Sequence, residues 1–254
     1  MLPNLARPDP HLDHPRETRL TSTTLFRVLA GSQAHGTARE DSDTDYRSVY
    51  YVPTRELLGL PSRDRPRFSD AVTGHAGGDG WEVEQALELA LRGHPSALEL
   101  AHNPVEHMTS NCSEDYLGFR RLLAALPPAK AAVDAHLGYA KNCLTKLISE
   151  RRPEQEAKLK ATYLRTLYAV REWVETGTYP AKVPLHGWGS LVRNALLSYE
   201  EGGTVTPGTV VDLGRVVEAE IGRLLPDSPV REPRASVAEA SGWLLVFRRE
   251  HWDA

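Results

Sequence analysis

Two short apolar segments, separated by a Gly-Ser pair and a group of aspartates, constrain the fold of this chain more than any other feature. The segment TTLFRVLA (residues 23–30) stops at Gly31, and a short apolar run that ends at glycine predicts a buried strand. The segment DTDYRSVYYV (residues 43–52) is rich in tyrosine and valine and ends before Pro53, which predicts a second strand. The intervening residues, GSQAHGTARED, correspond to a loop and a helical turn.

Three aspartates, Asp41, Asp43 and Asp45, occupy alternate positions where the second strand begins. Residues two apart on a strand point to the same face, so these carboxylates would repel one another. Such a cluster usually persists because a cation neutralises it, and all-oxygen ligands suit Mg²⁺ or Mn²⁺. A calcium-binding EF-hand loop is excluded, because Tyr46 and Val52 stand where that loop needs its glycine and its final glutamate.

The Gly-Ser pair favours a phosphate site beside these acids. Backbone amides next to Gly31 and the hydroxyl of Ser32 can approach a phosphate closely. The sequence is not a P-loop, because no Gly-Lys-Ser/Thr follows, and Gly31 and Gly36 do not form the dinucleotide-binding G-x-G-x-x-G. The alternative is a solvated acidic turn on a structural domain. A strand rich in aromatic and β-branched residues does not normally begin with stacked acids, which weighs against that alternative.

The rest of the chain divides into two kinds of sequence. Strand-like and helix-like segments alternate up to about residue 110, and six helix-like segments bounded by Pro, Gly or Ser follow. We therefore predict an α/β (α+β) fold with a small α/β domain at residues 20–110 and a helical domain at residues 111–254.

Composition excludes several classes of protein. The 254 residues include two cysteines, which give no disulfide framework and suit a reducing compartment. The formal net charge of −4 gives no overall footprint of nucleic-acid binding. The first twenty residues lack the apolar core of a signal peptide, and no run of about eighteen apolar residues occurs. We expect a soluble cytoplasmic protein with no membrane partner.

The segment AGSQAHGTAREDSDTDYRSVYYVP (residues 30–53) resembles the signature of the DNA polymerase beta-like nucleotidyltransferase superfamily. Within it, the chain is most similar to the RlaP group of RNA-ligase-associated predicted nucleotidyltransferases, whose pattern is GSxAYGxxxxDSDxDxRGVYV. His35 stands where tyrosine is common there, and Ser48 where glycine is common. The segments GWEVEQALELALRGHPSALELAHNP and KLKATYLRTLYAVREWVETGTYPAKVP are similar to two further stretches of that group. The resemblance covers residues 24–185.

This resemblance implies a mixed-sheet catalytic domain that binds a nucleoside triphosphate and two Mg²⁺ (or Mn²⁺) ions. Asp43 and Asp45 would bridge the metals, while Asp41 would either join them or orient the loop. A third carboxylate on a later strand would bind one metal and activate the attacking hydroxyl. Glu82 is the first candidate because it stands at the family's acidic position, and Asp79 and Glu84 are the other candidates.

Gly31 and Ser32 would bind the β- and γ-phosphates, and His35 is interpreted as a loop contact rather than a general base. Arg39 and Arg47 flank the acids and would either contact phosphate or offset the aspartate charge.

Three cations of a later helix are further candidates for nucleotide binding. Arg165 lies among apolar residues, which suggests that it points toward the α/β unit and its triphosphate. Lys158 and Lys160 would bind the nucleotide or hold an RNA acceptor. The alternative for both lysines is a solvated helix face with ion pairs to Glu154 and Glu156.

We therefore predict a metal-dependent nucleotidyltransferase that moves a nucleoside monophosphate from an NTP to a hydroxyl group and releases pyrophosphate. An RNA end, such as that of a damaged tRNA, is the first candidate acceptor, by family analogy. Protein AMPylation and transfer to a small molecule are alternatives. A non-catalytic nucleotide-binding or antitoxin-like partner protein is a hypothesis of a different class.

Overall fold

A small four-stranded sheet forms one side of the molecule. The computed structural model describes residues 22–40, 42–58, 78–108, 113–149, 152–197 and 205–253. The strands are β1 (Thr23–Ala30), β2 (Asp45–Tyr51), β3 (Gly78–Glu82) and β4 (Val105–Met108). Their order in the sheet is β3-β2-β1-β4. β1 is antiparallel to β2 and β4, whereas β2 and β3 are parallel, so the sheet is mixed.

Helices and the loops between them make up the rest of the described chain. They are α1 (Gly31–His35), α2 (Thr54–Leu58), α3 (Val83–Leu91), α4 (Pro95–His102), α5 (Ser113–Ala125), α6 (Ala129–Ser149), α7 (Pro153–Thr176), α8 (Trp188–Leu197), α9 (Pro207–Leu224) and α10 (Val237–Glu250), with a 3₁₀ turn at Leu225–Asp227. The predicted fold class, α/β (α+β) with a mixed sheet and a helical region, is confirmed. Within the described ranges, no helix has both the length and the apolar character needed to cross a bilayer.

Local sequence sets the ends of the longest helix, α7. Pro153 occupies its first turn, where the missing N–H costs no intrahelical hydrogen bond. Gly177 ends it with φ +78°, a left-handed conformation in which glycine carries no steric penalty. The helix therefore spans 24 residues without interruption.

The buried side chains form two cores, and these do not divide at residues 110 and 111. Phe119 of α5 and Phe247 of α10 are fully buried against the sheet, together with Phe26 of β1. The other core is built mainly from α6, α7, α8 and α9. The change of core falls at Pro127-Pro128, where two prolines end one helix before the next begins. The chain then returns to the sheet with α10, so the sheet core is assembled from both ends of the sequence.

A buried ion pair holds α10 on the sheet. Arg248 Nη2 lies 2.7 Å from Glu82 Oε1, and Glu82 is 5% exposed. The same carboxylate accepts a hydrogen bond of 2.8 Å from the backbone N–H of Glu84 at the start of α3. Burial raises the pKa of Glu82, and the nearby Arg248 charge opposes that rise. Glu82 therefore joins β3, α3 and α10.

Replacing Arg248 with methionine should destabilise the fold, because it leaves the buried Glu82 carboxylate without its counter-charge. We expect the free energy of unfolding to fall by about 3 kcal/mol at neutral pH, measured by urea denaturation. Arg249→Met is the matched control, since Arg249 is exposed on the same helix, and it should change stability by less than about 0.5 kcal/mol. Equal losses in the two variants would contradict this role of the ion pair.

Candidate functional site

A cleft of about 380 Å³ lies where the end of β1 meets the helical region. The sheet side contributes the Gly31-Ser32 turn with Asp43 and Asp45, and α7 contributes Lys158 and Arg165 to the opposite wall. Val192 and Leu196 of α8 close one side. Most of the residues predicted for the site thus meet in one cavity.

Glycine at position 31 leaves space for the Asp45 carboxylate. Ala30 pairs with Asp45 across β1 and β2, which brings Asp45 beside the turn. Gly31 adopts φ +59°, a left-handed conformation that favours glycine. A Cβ atom at this position would collide with Asp45 Oδ2. The chain therefore needs glycine here both for its backbone conformation and for the space that the carboxylate occupies.

Asp43 and Asp45 fit a hard cation by their chemistry. Both are exposed and line the cleft, and carboxylate oxygens are ligands that Mg²⁺ and Mn²⁺ prefer. Across the described part of the chain, no three His, Cys, Asp or Glu residues come close enough together to hold a metal ion by themselves. Asp41 lies outside the described residues, as does the side chain of Asp79. The described residues therefore supply two carboxylates to this cleft.

The structure does not bring Glu82 to the cleft, which corrects its expected role as the third carboxylate. In the parallel register of β2 and β3, Glu82 stands opposite Tyr50. Tyr50 lies five residues beyond Asp45, roughly 17 Å at the rise of a strand. Glu84 is exposed and lies 3.8 Å from Arg248, at the same distant end. The backbone of Asp79 is in register with Arg47, much nearer to Asp45 along the sheet.

The two predicted lysines of α7 have different surroundings. Lys158 lines the cleft, is exposed, and lies 3.4 Å from Glu154. Lys160 is 5% exposed, and its Nζ donates to the backbone carbonyl of Val205 at 2.9 Å. The structure therefore does not bring Lys160 to the cleft, because its ammonium group is held inside the helical region beside the N-terminus of α9.

The two arginines beside the acids, Arg39 and Arg47, also have different partners. Arg39 lines the cleft, and its Nη2 donates to the carbonyl of Leu196 at 2.8 Å, which ties the loop after α1 to α8. Arg47 instead forms an ion pair with Glu99 of α4, a carboxylate that is 4% exposed. Arg47 is directed to this buried acid rather than to the cleft, which corrects the expectation that it contacts phosphate.

A buried polar network that the sequence did not predict joins the sheet to the helical region. His35 Nδ1 donates to the carbonyl of Ala181 at 3.0 Å, and His35 Nε2 accepts from Arg165 Nη1 at 2.6 Å. Arg165 Nη1 also lies 3.4 Å from Glu99 Oε1. These bonds require a neutral imidazole, and burial together with the Arg165 charge lowers the pKa of His35 to about 3. His35, the last residue of α1, thus connects the sheet side to the segment that follows α7.

Glu99 could have been recognised from one signal only. It is a lone acid on α4 between two leucines that the structure buries completely, Leu98 and Leu100. A carboxylate among fully buried residues needs a cationic partner. The sequence gives no indication of which cation supplies it, because Arg47 and Arg165 come from distant parts of the chain.

Lowering the pH should destabilise the protein, because three histidines are held neutral in the fold. Burial is the main cause that lowers the pKa of His35 to about 3 and those of His102 and His136 to about 4. In the unfolded chain each group binds its proton near pH 6.5. Their contribution to stability is complete above that pH and is lost as the pH falls toward 4.

We expect the free energy of unfolding to fall between pH 7 and pH 5, on the order of 1 kcal/mol per pH unit for each histidine. Urea denaturation at several pH values measures this slope. His35→Gln should flatten it, whereas His186→Gln, at an exposed position, should leave it unchanged. The same slope in both variants would show that His35 is not held neutral.

Comparison with known proteins identifies relatives of most of the chain. The model of a family described as RlaP, RNA repair pathway DNA polymerase beta family, matches residues 12–197. The uncharacterized protein YcgL of Bacillus subtilis (strain 168) is 26% identical over 159 residues, which are 61% of this chain and 58% of that protein. The similarity thus spans little more than half of YcgL. No solved structure matches.

Proposed function

Because the chain belongs to the RlaP family, the RNA repair pathway DNA polymerase beta family, we propose that it transfers a nucleoside monophosphate from an NTP to a hydroxyl group. One observation carries this proposal. Asp43 and Asp45 share a single cleft with the Gly31-Ser32 turn and with Arg165. A carboxylate pair, a phosphate-accessible turn and a fixed cation are the groups that this transfer needs.

The chemistry is an in-line substitution at the α-phosphorus of the NTP. The acceptor hydroxyl passes its proton to water as its oxygen forms a bond to phosphorus, and the bond to the bridging oxygen breaks, so pyrophosphate leaves with the negative charge. Groups that stabilise this charge must be in place before it develops. Arg165 and Lys158 line the cleft and supply positive charge there. Mg²⁺ or Mn²⁺, held by Asp43 and Asp45 as two ions, would stabilise the attacking and leaving oxygens.

The proposed acceptor is the end of an RNA, such as a tRNA. The family description, which places the family in an RNA repair pathway, supports this choice. The exposed Lys158 lines the cleft beside its partner Glu154, and its positive charge would favour a polyanion.

Removing either cleft carboxylate should abolish transfer while leaving the fold intact. The assay is incubation with labelled ATP, CTP, GTP or UTP, Mg²⁺ and total tRNA, with pyrophosphate release and label transfer as readouts. Asp45→Asn and Asp43→Asn should each reduce the rate about a hundredfold or more. Both residues are exposed, so the melting temperature should change little.

Two further variants in the same assay locate the third carboxylate. We expect Asp79→Asn to reduce transfer as Asp45→Asn does, because the backbone of Asp79 is in register near the cleft end of β2. Glu82→Gln should retain the rate of transfer, although it weakens the pairing with Arg248. Full activity of Asp79→Asn together with inactive, folded Glu82→Gln would reverse this assignment.

Other outcomes of the assay identify other functions. Nucleotide binding without pyrophosphate release in every acceptor tested would support a nucleotide-binding or antitoxin-like partner protein. Label transferred to a polypeptide instead of RNA would support a protein AMPylase. Pyrophosphate release without labelled RNA or labelled polypeptide would support transfer to a small hydroxyl compound.

The two α7 lysines provide a second test of the cleft. Lys158→Gln should raise the KM for the NTP by about three- to tenfold, with an effect that shrinks at high salt, because Lys158 is an exposed cation. Lys160→Gln should leave KM unchanged and lower the melting temperature, because its ammonium group serves the Val205 carbonyl and Glu156. A larger KM effect for Lys160→Gln would contradict the assignment of Lys158 to the cleft.

A further inference from the structure

Arg165 is held by one of its two terminal nitrogens. Its Nη1 donates to His35 Nε2 at 2.6 Å and lies 3.4 Å from Glu99 Oε1. Among the described residues, the Nε and Nη2 groups of Arg165 have no hydrogen-bond partner, and the side chain lines the cleft. These two groups form the side-on edge of the guanidinium, which can bind two oxygens of a phosphate at once.

Two neighbours fix the direction of that edge. His35 is 4% exposed, and its other ring nitrogen is held by the carbonyl of Ala181, so the acceptor Nε2 has a set orientation. Glu99 is equally buried and lies between Arg47 and Arg165. A carboxylate between two guanidinium groups offsets their repulsion and keeps both in place.

We propose that His35 and Glu99 are positioning residues that hold Arg165 through Nη1 and thereby present its Nε and Nη2 groups to the triphosphate of the nucleotide. This inference rests on the proposed function, because it names the group in the same cleft that binds the leaving phosphates. Arg165 makes the contact with phosphate, and His35 and Glu99 act through Arg165. A donor fixed in advance needs no rearrangement when charge develops on the leaving group.

The arrangement also explains why the histidine must accept a hydrogen bond here. A protonated imidazole would direct an N–H group at Arg165 and repel it. The neutral form has an acceptor on Nε2 because Nδ1 carries the proton that it donates to Ala181. A side chain at position 35 that offers an acceptor should therefore preserve the site, whereas an apolar side chain should not.

A double-mutant cycle on triphosphate binding tests this proposal. The probe is inorganic triphosphate with Mg²⁺, and its affinity for the full chain is measured by isothermal titration calorimetry beside the melting temperature of each variant. Glu99→Gln and Arg165→Gln should each weaken binding about tenfold, the size of one charge-assisted hydrogen bond. In the Arg165→Gln background, Glu99→Gln should have no further effect, because its influence passes through Arg165.

Glu82→Gln is the matched control, since Glu82 is also a buried glutamate paired with an arginine, but away from the cleft. It should lower the melting temperature without changing the affinity for triphosphate. His35→Leu should weaken binding as Glu99→Gln does, and His35→Gln, which keeps an acceptor, should restore most of the affinity. This second pair gives the same test if Glu99→Gln does not fold.

The outcomes separate this inference from the proposed function. Additive effects of Glu99→Gln and Arg165→Gln, or equal weakening by Glu82→Gln, would overturn the positioning role while leaving the nucleotide site intact. Equal affinity of His35→Leu and His35→Gln would do the same. A wild-type protein that binds neither triphosphate nor ATP would overturn both the inference and the proposed function.

Discussion

The pairing of Ala30 with Asp45 determines where the carboxylates of the candidate site lie. It sets Asp45 next to the turn at Gly31, and the absence of a side chain there lets the carboxylate lie against the backbone. The register of β1 and β2 is specified by their buried faces. A slip of one residue would turn Asp45, and with it the apolar side chains of β2, to the other face of the sheet. The turn, the carboxylates and the strand core therefore depend on one another.

The residues of α7 that line the opposite wall of the cleft are determined by the helical period. The cleft is lined by position 154, position 158, the neighbouring positions 161 and 162, and position 165. Each step along this series is three or four residues, so the positions form one stripe along the helix. Lys160 is two positions from Lys158, or about 200° around the helix, which directs it away from that stripe. The helical period thus explains why Lys158 lines the cleft with the acids and Lys160 does not.

Sequence spacing predicted that the Gly-Ser turn and the aspartates meet, and the structure places them in one cleft. The positions of the other candidate residues could not be predicted in the same way. The strand, the Gly-Ser turn and the aspartates lie within about twenty residues, so spacing alone indicates that they meet. The position of Glu82 depends on the parallel direction and register of β3, which follow from a long connection rather than from local pattern. Arg47 lies beside the acids in sequence, but burial of Glu99 draws it elsewhere. Sequence spacing does not show which charged residues from distant segments will pair in the fold.

Two groups of contacts connect the sheet core with the helical core. The chain leaves the sheet core at Ala125–Pro128 and returns beside the same point, where the N–H groups of Arg234 and Ala235 both donate to the carbonyl of Ala125. The two crossings between the cores therefore lie side by side. At the far side of the interface, His35 bonds to Ala181 and Val183, and Arg39 bonds to Leu196. Three of the residues that make these bonds, His35, Arg39 and Leu196, also line the cleft. The same residues therefore shape the cleft and join the sheet side to the helical region.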